Sequence, residues 1–261
     1  MSIAVIALDP FNSKNPGKQA QSFKPFEIKD PLVDKILEQF QDDVYNYSNV
    51  EIKDVLTPSQ IQVAVHRMVQ KPLESREGPY LDHRAGVFIS NLVQGSYNTG
   101  YNNFILNTDA VKIGSLCVCL EGTKENRLQL RIEGTVGYQS LGWSQHIDCR
   151  VEGDVWTDFA YASKYSRFYI DGNAQDNCAS GSFNTAVHAS GKIERGWGMH
   201  AWFSRFSAQT FGVMQHHRRS VFDQSYIFGC SIEVKDLKSY EAIWQEFGPI
   251  GYFNKIRLTK E

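Results

Sequence analysis

Leu130-Arg-Ile-Glu-Gly134 is the first of several copies of one short phrase that ends in glycine. The later copies follow at a constant 19-residue step, and they are Cys149-Arg-Val-Glu-Gly153, Phe168-Tyr-Ile-Asp-Gly172, Val187-His-Ala-Ser-Gly191, the weaker Phe206-Ser-Ala-Gln-Thr210 and Ser225-Tyr-Ile-Phe-Gly229. Upstream, Gly114 and Gly95 extend the series at nearly the same step. A fixed period of about 20 residues with one strand pattern per period is typical of a solenoid.

Each copy of the phrase alternates apolar and polar residues. The residues four and two places before the glycine are mostly apolar, as in Phe168 and Ile170, and the residues three and one place before it are mostly polar. This alternation predicts a strand with one buried face. The closing glycine suits a corner that needs positive φ or a close backbone approach. Because one coil cannot bury its apolar face alone, the coils are expected to stack about 4.8 Å apart.

The predicted fold class is therefore mainly β, a right-handed parallel β-helix over residues 86–230. We expect the entry strand at residues 87–93 and a hairpin insertion at residues 121–126. Residues 1–85 are predicted to form an N-terminal arm and helical region, and residues 231–261 a C-terminal capping helix and tail.

Two helix starts are clear upstream of the repeats. Asp30 can cap a helix that begins at Pro31. Thr57 and Gln60 have the spacing of a capping box for a second helix, with proline at its first position. A further helix is predicted after Asp236. Helices at both ends would cover the unpaired strand edges of a solenoid, and docking of a partner is the alternative role.

Composition narrows the class of protein. The chain has 261 residues and a formal net charge of −2, without a run of Lys and Arg, which argues against a nucleic-acid partner. No window predicts a membrane span. The five cysteines lack the spacing of a zinc site, which indicates free thiols, no metal and a cytoplasmic protein, with Cys149 filling the core. No nucleotide-binding or catalytic motif predicts a cofactor or an active site.

The phrase also resembles a known family. Gly134-Thr-Val-Gly137-Tyr-Gln-Ser-Leu-Gly142 and the glycine phrases that follow are similar to the glycine-repeat (GXGXG) β-helix domain. That domain ends the large chain of glutamate synthase, and it also occurs in N-methylglutamate synthase-type subunits and in one of the subunits of formylmethanofuran dehydrogenase. The resemblance covers residues 95–229 and implies an architectural role, in which the β-helix holds catalytic subunits and contributes no catalytic residue.

An outward acidic column is the first candidate site. Glu133, Glu152 and Asp171 follow one another at the step of the repeat, beside a column that begins with Arg131 and Arg150. Carboxylates about 4.8 Å apart could share Ca²⁺. Ordinary Arg/Glu surface pairing is the alternative interpretation, which we prefer.

A histidine corner is the second candidate. The 19-residue spacing places basic and imidazole side chains on one corner of neighbouring coils, where they could bind a metal or an anion. The residues are His200, His216, His217, Arg218 and Arg219. Plain surface histidines are the alternative.

Aromatic residues outside the inward strand positions are the third candidate, because Trp and Tyr concentrate at protein interfaces. The predicted interface set is Tyr138, Trp143, Trp156, Phe159, Tyr161, Trp197 and Trp202, and Tyr165 also lies outside the inward positions. Packing beneath the N-terminal helices is the alternative, and in both cases protein covers this surface.

Two functions follow. The preferred one is a non-catalytic scaffold subunit of a glutamate-synthase-like or formyl-transferring complex, whose partners are other protein subunits or a second copy. The alternative is a stand-alone β-helix enzyme or carbohydrate-binding protein that uses the acidic column or the histidine corner.

Overall fold

The structure, a computed structural model, describes residues 30–42, 54–70, 80–81, 83–109, 111–211, 230–234 and 253–258. The helices within these ranges are α1 (Pro31–Asp42), α2 (Pro58–Val69) and α3 (His83–Asn98). The strands are β1 (Tyr80–Leu81), β2 (Asn103–Asp109), β3 (Lys112–Ile113), β4 (Leu128–Gly134), β5 (Ile147–Val151), β6 (Arg167–Ile170), β7 (Ala186–Ala189), β8 (Lys192–Ile193), β9 (Arg205–Ala208), β10 (Thr210–Phe211), β11 (Cys230–Val234) and β12 (Phe253–Leu258).

The largest sheet is a stack of parallel strands from successive coils. Its order is β12-β11-β9-β7-β6-β5-β4-β2. Leu130 lies opposite Cys149, which lies opposite Phe168, and the same step along the chain continues to Val187 and Phe206. The predicted parallel β-solenoid and the period of its repeat are confirmed.

Two further ladders of backbone bridges give each coil three sides. The second ladder joins Val136, Val155, Ala174 and Ile193. The third ladder joins Glu121, Gln145, Lys164, Phe183 and Trp202. The core lies between these ladders and the large sheet.

Burial follows the predicted alternation. The inward residues are at most 2% exposed, and they are Leu130, Ile132, Cys149, Val151, Phe168, Ile170, Val187, Ala189, Phe206 and Ala208. The residues between them along the strands are partly exposed in most cases. Burial of apolar side chains between stacked coils therefore stabilises the fold, as the sequence predicts.

The glycines at the end of the phrase stack on one another. A Cβ added to Gly153 would lie 2.6 Å from the carbonyl oxygen of Gly134 and 2.8 Å from its carbonyl carbon. Gly191 donates its N–H to the carbonyl of Gly172 over 3.0 Å. Of these four glycines only Gly134 has positive φ, at 117°. Close backbone approach between coils is the reason for glycine at the other three.

In the run between the second and third ladders the backbone φ alternates in sign from residue to residue. In one coil Gln139, Leu141 and Trp143 have φ between 53° and 57°, and the next coils repeat the pattern. The Gln139 N–H donates to the carbonyl of Thr157 over 2.9 Å, one coil away. This alternation bends the chain tightly while its amides still pair between coils.

The predicted entry strand is wrong. Residues 83–98 form helix α3, whose buried residues Phe88, Ile89, Leu92 and Val93 recur at helical spacing. A Cβ at Gly86 would overlap the carbonyl of Gly114, so this glycine lets α3 approach the first coil closely. The large sheet begins instead at Asn103.

The upstream extension of the glycine series is wrong for the same reason. Gly95 lies in α3, and a Cβ there would meet no atom within 4 Å. The residue opposite Gly134 in the preceding strand is Asp109, not Gly114. The stacked glycines thus begin at Gly134.

Both ends of the regular region depart from the period of the repeat. Leu130 follows its neighbour Phe104 at a longer interval than the period of the repeat requires. A bend in which the Thr123 N–H donates to the Asn126 carbonyl over 3.1 Å accounts for part of the excess, and it takes the place of the predicted hairpin. At the other end Phe206 pairs with Ile232, so the strand beside β9 is β11 and not Ser225–Gly229. Residues 225–229, including Gly229, lie outside the described residues.

The helix starts are as predicted. Asp30 accepts hydrogen bonds from the N–H groups of Leu32 and Val33 at 3.0 and 3.2 Å. Thr57 and Gln60 form the full capping box at the start of α2, which packs against β2 at one edge of the large sheet. The helix predicted after Asp236 and the N-terminal arm lie outside the described residues.

Candidate functional site

The acidic column is paired with the arginines of neighbouring positions. Arg131 contacts Glu152 at 2.9 Å and Glu133 at 3.3 Å. Arg150 contacts Asp171 at 3.0 Å. Each guanidinium therefore reaches a carboxylate of the next coil, which is the surface ladder that we preferred. Within the described ranges no group of three His, Cys, Asp or Glu side chains could hold a metal ion.

The histidine corner is described only at His200. This residue is exposed and has a φ of 57°, in the alternating run of its coil. His216, His217, Arg218 and Arg219 lie outside the described residues, so the proposed grouping of the five stays a prediction.

The predicted aromatic set divides into core and surface. Phe159 and Trp197 are at most 1% exposed, so their placement at a surface is wrong. Both occupy the inward position in the middle of the alternating run, where the Trp197 ring packs against Phe206 and Phe211 with centroids 5.3 and 4.6 Å apart. In the sequence this run has the character of a surface loop, whereas its alternating φ directs adjacent side chains such as Phe159 and Ala160 into the core.

The remaining members are at least partly exposed. Trp156 is intermediate in burial, and the Lys112 ammonium lies 3.7 Å from the centroid of its ring. The well exposed members are Tyr138, Trp143, Tyr161 and Trp202. Trp143 and Tyr161 contact each other edge to face, at a centroid distance of 5.3 Å.

A continuous aromatic corner follows the third ladder. We define it as His146, Tyr165, Phe183, Trp202 and Phe203. The His146 and Tyr165 rings stack at 5.1 Å with an interplanar angle of 10°. Phe183 then contacts Tyr165 at 5.4 Å and Phe203 at 5.8 Å, both edge to face. The corner spans four coils, and at its far end Trp202 and Phe203 are 47% and 50% exposed.

The corner is built on a strained backbone. His146, Tyr165 and Phe203 occupy equivalent positions of their coils and all have a φ of 53°. Asn184 occupies the same position with a φ of 48°, and asparagine tolerates this region far better than an aromatic residue. The left-handed conformation costs an L-residue roughly 1–2 kcal/mol. The same conformation recurs along every coil, in core residues such as Ala160 and Ala179 as well, so it belongs to the fold and does not by itself mark this corner as a site.

A buried carboxylate lies beside the corner, and no sequence motif singles it out. Asp148 is 2% exposed and accepts from Arg127 Nε at 2.8 Å and Arg167 Nε at 2.7 Å. The Arg127 guanidinium also donates to the carbonyl of Tyr165 at 2.6 Å. The hydrogen bond to Asp148 raises the pKa of Arg167. The period of the repeat could have revealed this ion pair in the sequence, because it places Arg167 opposite Asp148.

Four cysteines in the coils are free thiols, as predicted. Cys117, Cys149 and Cys178 are buried, whereas Cys119 is exposed. Burial raises the pKa of Cys178 to about 12 and raises the pKa of Cys117 and Cys149. The three buried thiols are core residues, and Cys149 fills the position predicted for it.

No helix among the described segments has the length and apolar character needed to cross a membrane. No family model, curated protein or solved structure matches this chain.

Proposed function

We propose that this chain is a non-catalytic scaffold subunit that holds other protein subunits against its aromatic corner. The observation that carries the proposal is the continuous strip of partly exposed rings along four coils. Exposed apolar patches on a soluble protein mark interaction sites, and aromatic anchors contribute most to interface energies.

The arrangement of charge favours a scaffold over an enzyme or a carbohydrate-binding protein. Glu152 and Asp171 are bonded to Arg131 and Arg150 and lie at the far end of their strands from the aromatic corner. A glycosidase needs two carboxylates that flank the bond it cleaves, and we expect a groove that holds a sugar to bring them beside the aromatic residues. Here the two sets occupy different parts of the coil.

The finer features of the fold belong to the same proposal. We propose a right-handed solenoid whose open ends are capped by the terminal helices, in a cytoplasmic complex of the glutamate-synthase-like or formyl-transferring kind. The stacked glycines support kinship with the glycine-repeat domain. The glycine three places after the first is present only as Gly137, because Trp156, Gln175 and Glu194 replace it in later coils.

The test is partner binding by matched surface variants. The partner is first identified as the protein that co-purifies with the native chain, and its affinity is then measured with both proteins purified. In the variant Tyr165→Asn/Phe203→Asn, asparagine replaces two rings at the position where Asn184 already occurs, so the fold is retained. Loss of an aromatic anchor typically costs about 2 kcal/mol or more, which is about thirtyfold in affinity.

Tyr138→Asn is the matched control, because Tyr138 is 45% exposed and belongs to the interface set predicted from the sequence, but lies outside the aromatic corner to which the proposal now restricts the interface. We expect this variant to bind as the wild type does. Unchanged affinity of the double variant would contradict the proposal. A triple change of His200, His216 and His217 to Gln should leave both assembly and the activity of the complex intact, and loss of activity alone would identify the histidine corner as a site.

A further inference from the structure

The flanks of the aromatic corner carry positive charge. Lys164 belongs to the third ladder between Gln145 and Phe183, and Arg205 follows Phe203 by two residues. Both side chains are exposed, and within the described ranges neither has a carboxylate partner. Arg127 and Arg167 lie at the same corner and share the single carboxylate of Asp148.

The charge at the aromatic corner is positive, whereas the net charge of the whole chain is negative. Four cations meet one buried carboxylate along the corner, and Glu121 lies at the first-coil end of the third ladder. The formal net charge of the whole chain is −2. A positive strip on a slightly acidic protein favours a partner of opposite sign, because complementary charge steers encounter and suppresses wrong partners.

The packing of the rings indicates the class of that partner. His146 and Tyr165 stack on one another, and Phe183 meets Tyr165 and Phe203 edge to face, so neighbouring rings already occupy part of the ring surface. Single-stranded nucleic acid needs open ring faces on which bases stack. Aliphatic side chains need no open ring face, and they suit the exposed parts of Tyr165, Trp202 and Phe203 instead.

We propose that the partner of the corner is an acidic protein segment that carries aliphatic side chains and lies along the solenoid axis. Its carboxylates pair with Lys164 and Arg205, and its aliphatic groups pack on Tyr165, Trp202 and Phe203. Three coil steps of about 4.8 Å give a strip about 14 Å long, which matches about four residues of an extended chain. This inference rests on the proposed function and adds the chemistry of the partner.

The experiment titrates the full-length protein with fluorescently labelled peptides. One peptide contains Glu and Leu, a second has every Glu replaced by Gln, and a single-stranded oligothymidylate is the third probe. We expect the Glu/Leu peptide to bind, and to bind about tenfold more weakly at 0.5 M salt than at 0.05 M, because salt screens exposed charges. Lys164→Glu/Arg205→Glu should weaken it at least tenfold.

Lys192→Glu is the control, because Lys192 is a surface cation already paired with Glu194 at 2.9 Å, and we expect unchanged binding. Equal binding of the Gln peptide, absence of binding by the Glu/Leu peptide, or tighter binding of the oligothymidylate would each overturn the inference.

Binding of the native partner to the aromatic variant and to the charge-reversal variant distinguishes this inference from the proposed function. If the partner is lost by Tyr165→Asn/Phe203→Asn but kept by the charge reversal, the scaffold proposal holds and the acidic segment is refuted. If neither variant releases it, both are refuted. Loss through both variants, with the peptide results above, supports both.

Discussion

Gly153→Ala is the sharpest probe of the stacked coils. The new Cβ would lie 2.6 and 2.8 Å from the carbonyl oxygen and carbon of Gly134, and 3.2 Å from the Thr135 nitrogen. All three atoms belong to the backbone of the preceding coil, so no side-chain rotation relieves the overlap. Gly153 is not among the residues with positive φ, so the cost is steric.

The loss of stability expected for Gly153→Ala follows from the cost of overpacking. Forcing one methyl group into closely packed structure typically costs about 1–3 kcal/mol. For a chain of this size each kcal/mol lowers the melting temperature by about 2–4 °C. We therefore expect the melting temperature to fall by about 2–12 °C, measured by circular dichroism, and the urea midpoint to fall at constant slope.

Gly95→Ala is the matched control for the same substitution. Gly95 lies in helix α3 with no atom within 4 Å of an added Cβ. Alanine is more favourable than glycine inside a helix by roughly 0.5–1 kcal/mol. The control should therefore raise the melting temperature slightly. Wild-type stability of Gly153→Ala, or strong destabilisation by Gly95→Ala, would refute the placement of these glycines.

Two further predictions concern the core and the thiols. Ile170 lies opposite Val151 and Ala189 and is fully buried, so Ile170→Asp would bury an unpaired charge and should prevent folding. Glu152→Gln should change the free energy of unfolding by no more than about 1 kcal/mol, because exposed ion pairs contribute little. A larger loss from Glu152→Gln in thermal melts would reverse the inward and outward faces. Iodoacetamide at pH 8 should modify Cys119 first, and Cys117, Cys149 and Cys178 only after urea is added, as read by peptide mass spectrometry; rapid labelling of Cys178 in the native protein would contradict its burial.

The regular coils could be predicted because one physical constraint repeats. Alternation such as that of Phe168 and Ile170 identifies the inward face, and a glycine at a fixed spacing identifies the corner. Each copy supports the next, so the strand register over residues 128–208 follows from the period alone. The capping signals at Asp30 and Thr57 are equally local.

The predictions that the structure contradicts failed for physical reasons. The short apolar run around Val87 and Leu92 fits strand or helix, and packing of α3 on the first coil decides for the helix. Trp197 and Phe159 point inward because of alternating left-handed residues in a run without a helix or strand period. The aromatic corner depends on the same geometry, since rings from four coils become neighbours only when Tyr165 and Phe203 take left-handed conformations.

Site-specific photocrosslinking tests docking at the aromatic corner most directly. A photoreactive phenylalanine analogue is placed at Tyr165 in the aromatic corner, or at Tyr169 on the outer face of the large sheet, and the native complex is irradiated. The two positions lie in the same coil and differ in the side of the solenoid that they occupy. We expect a covalent adduct with the partner protein from position 165 and little from position 169. Crosslinking from position 169 with none from position 165 would contradict the proposed docking surface.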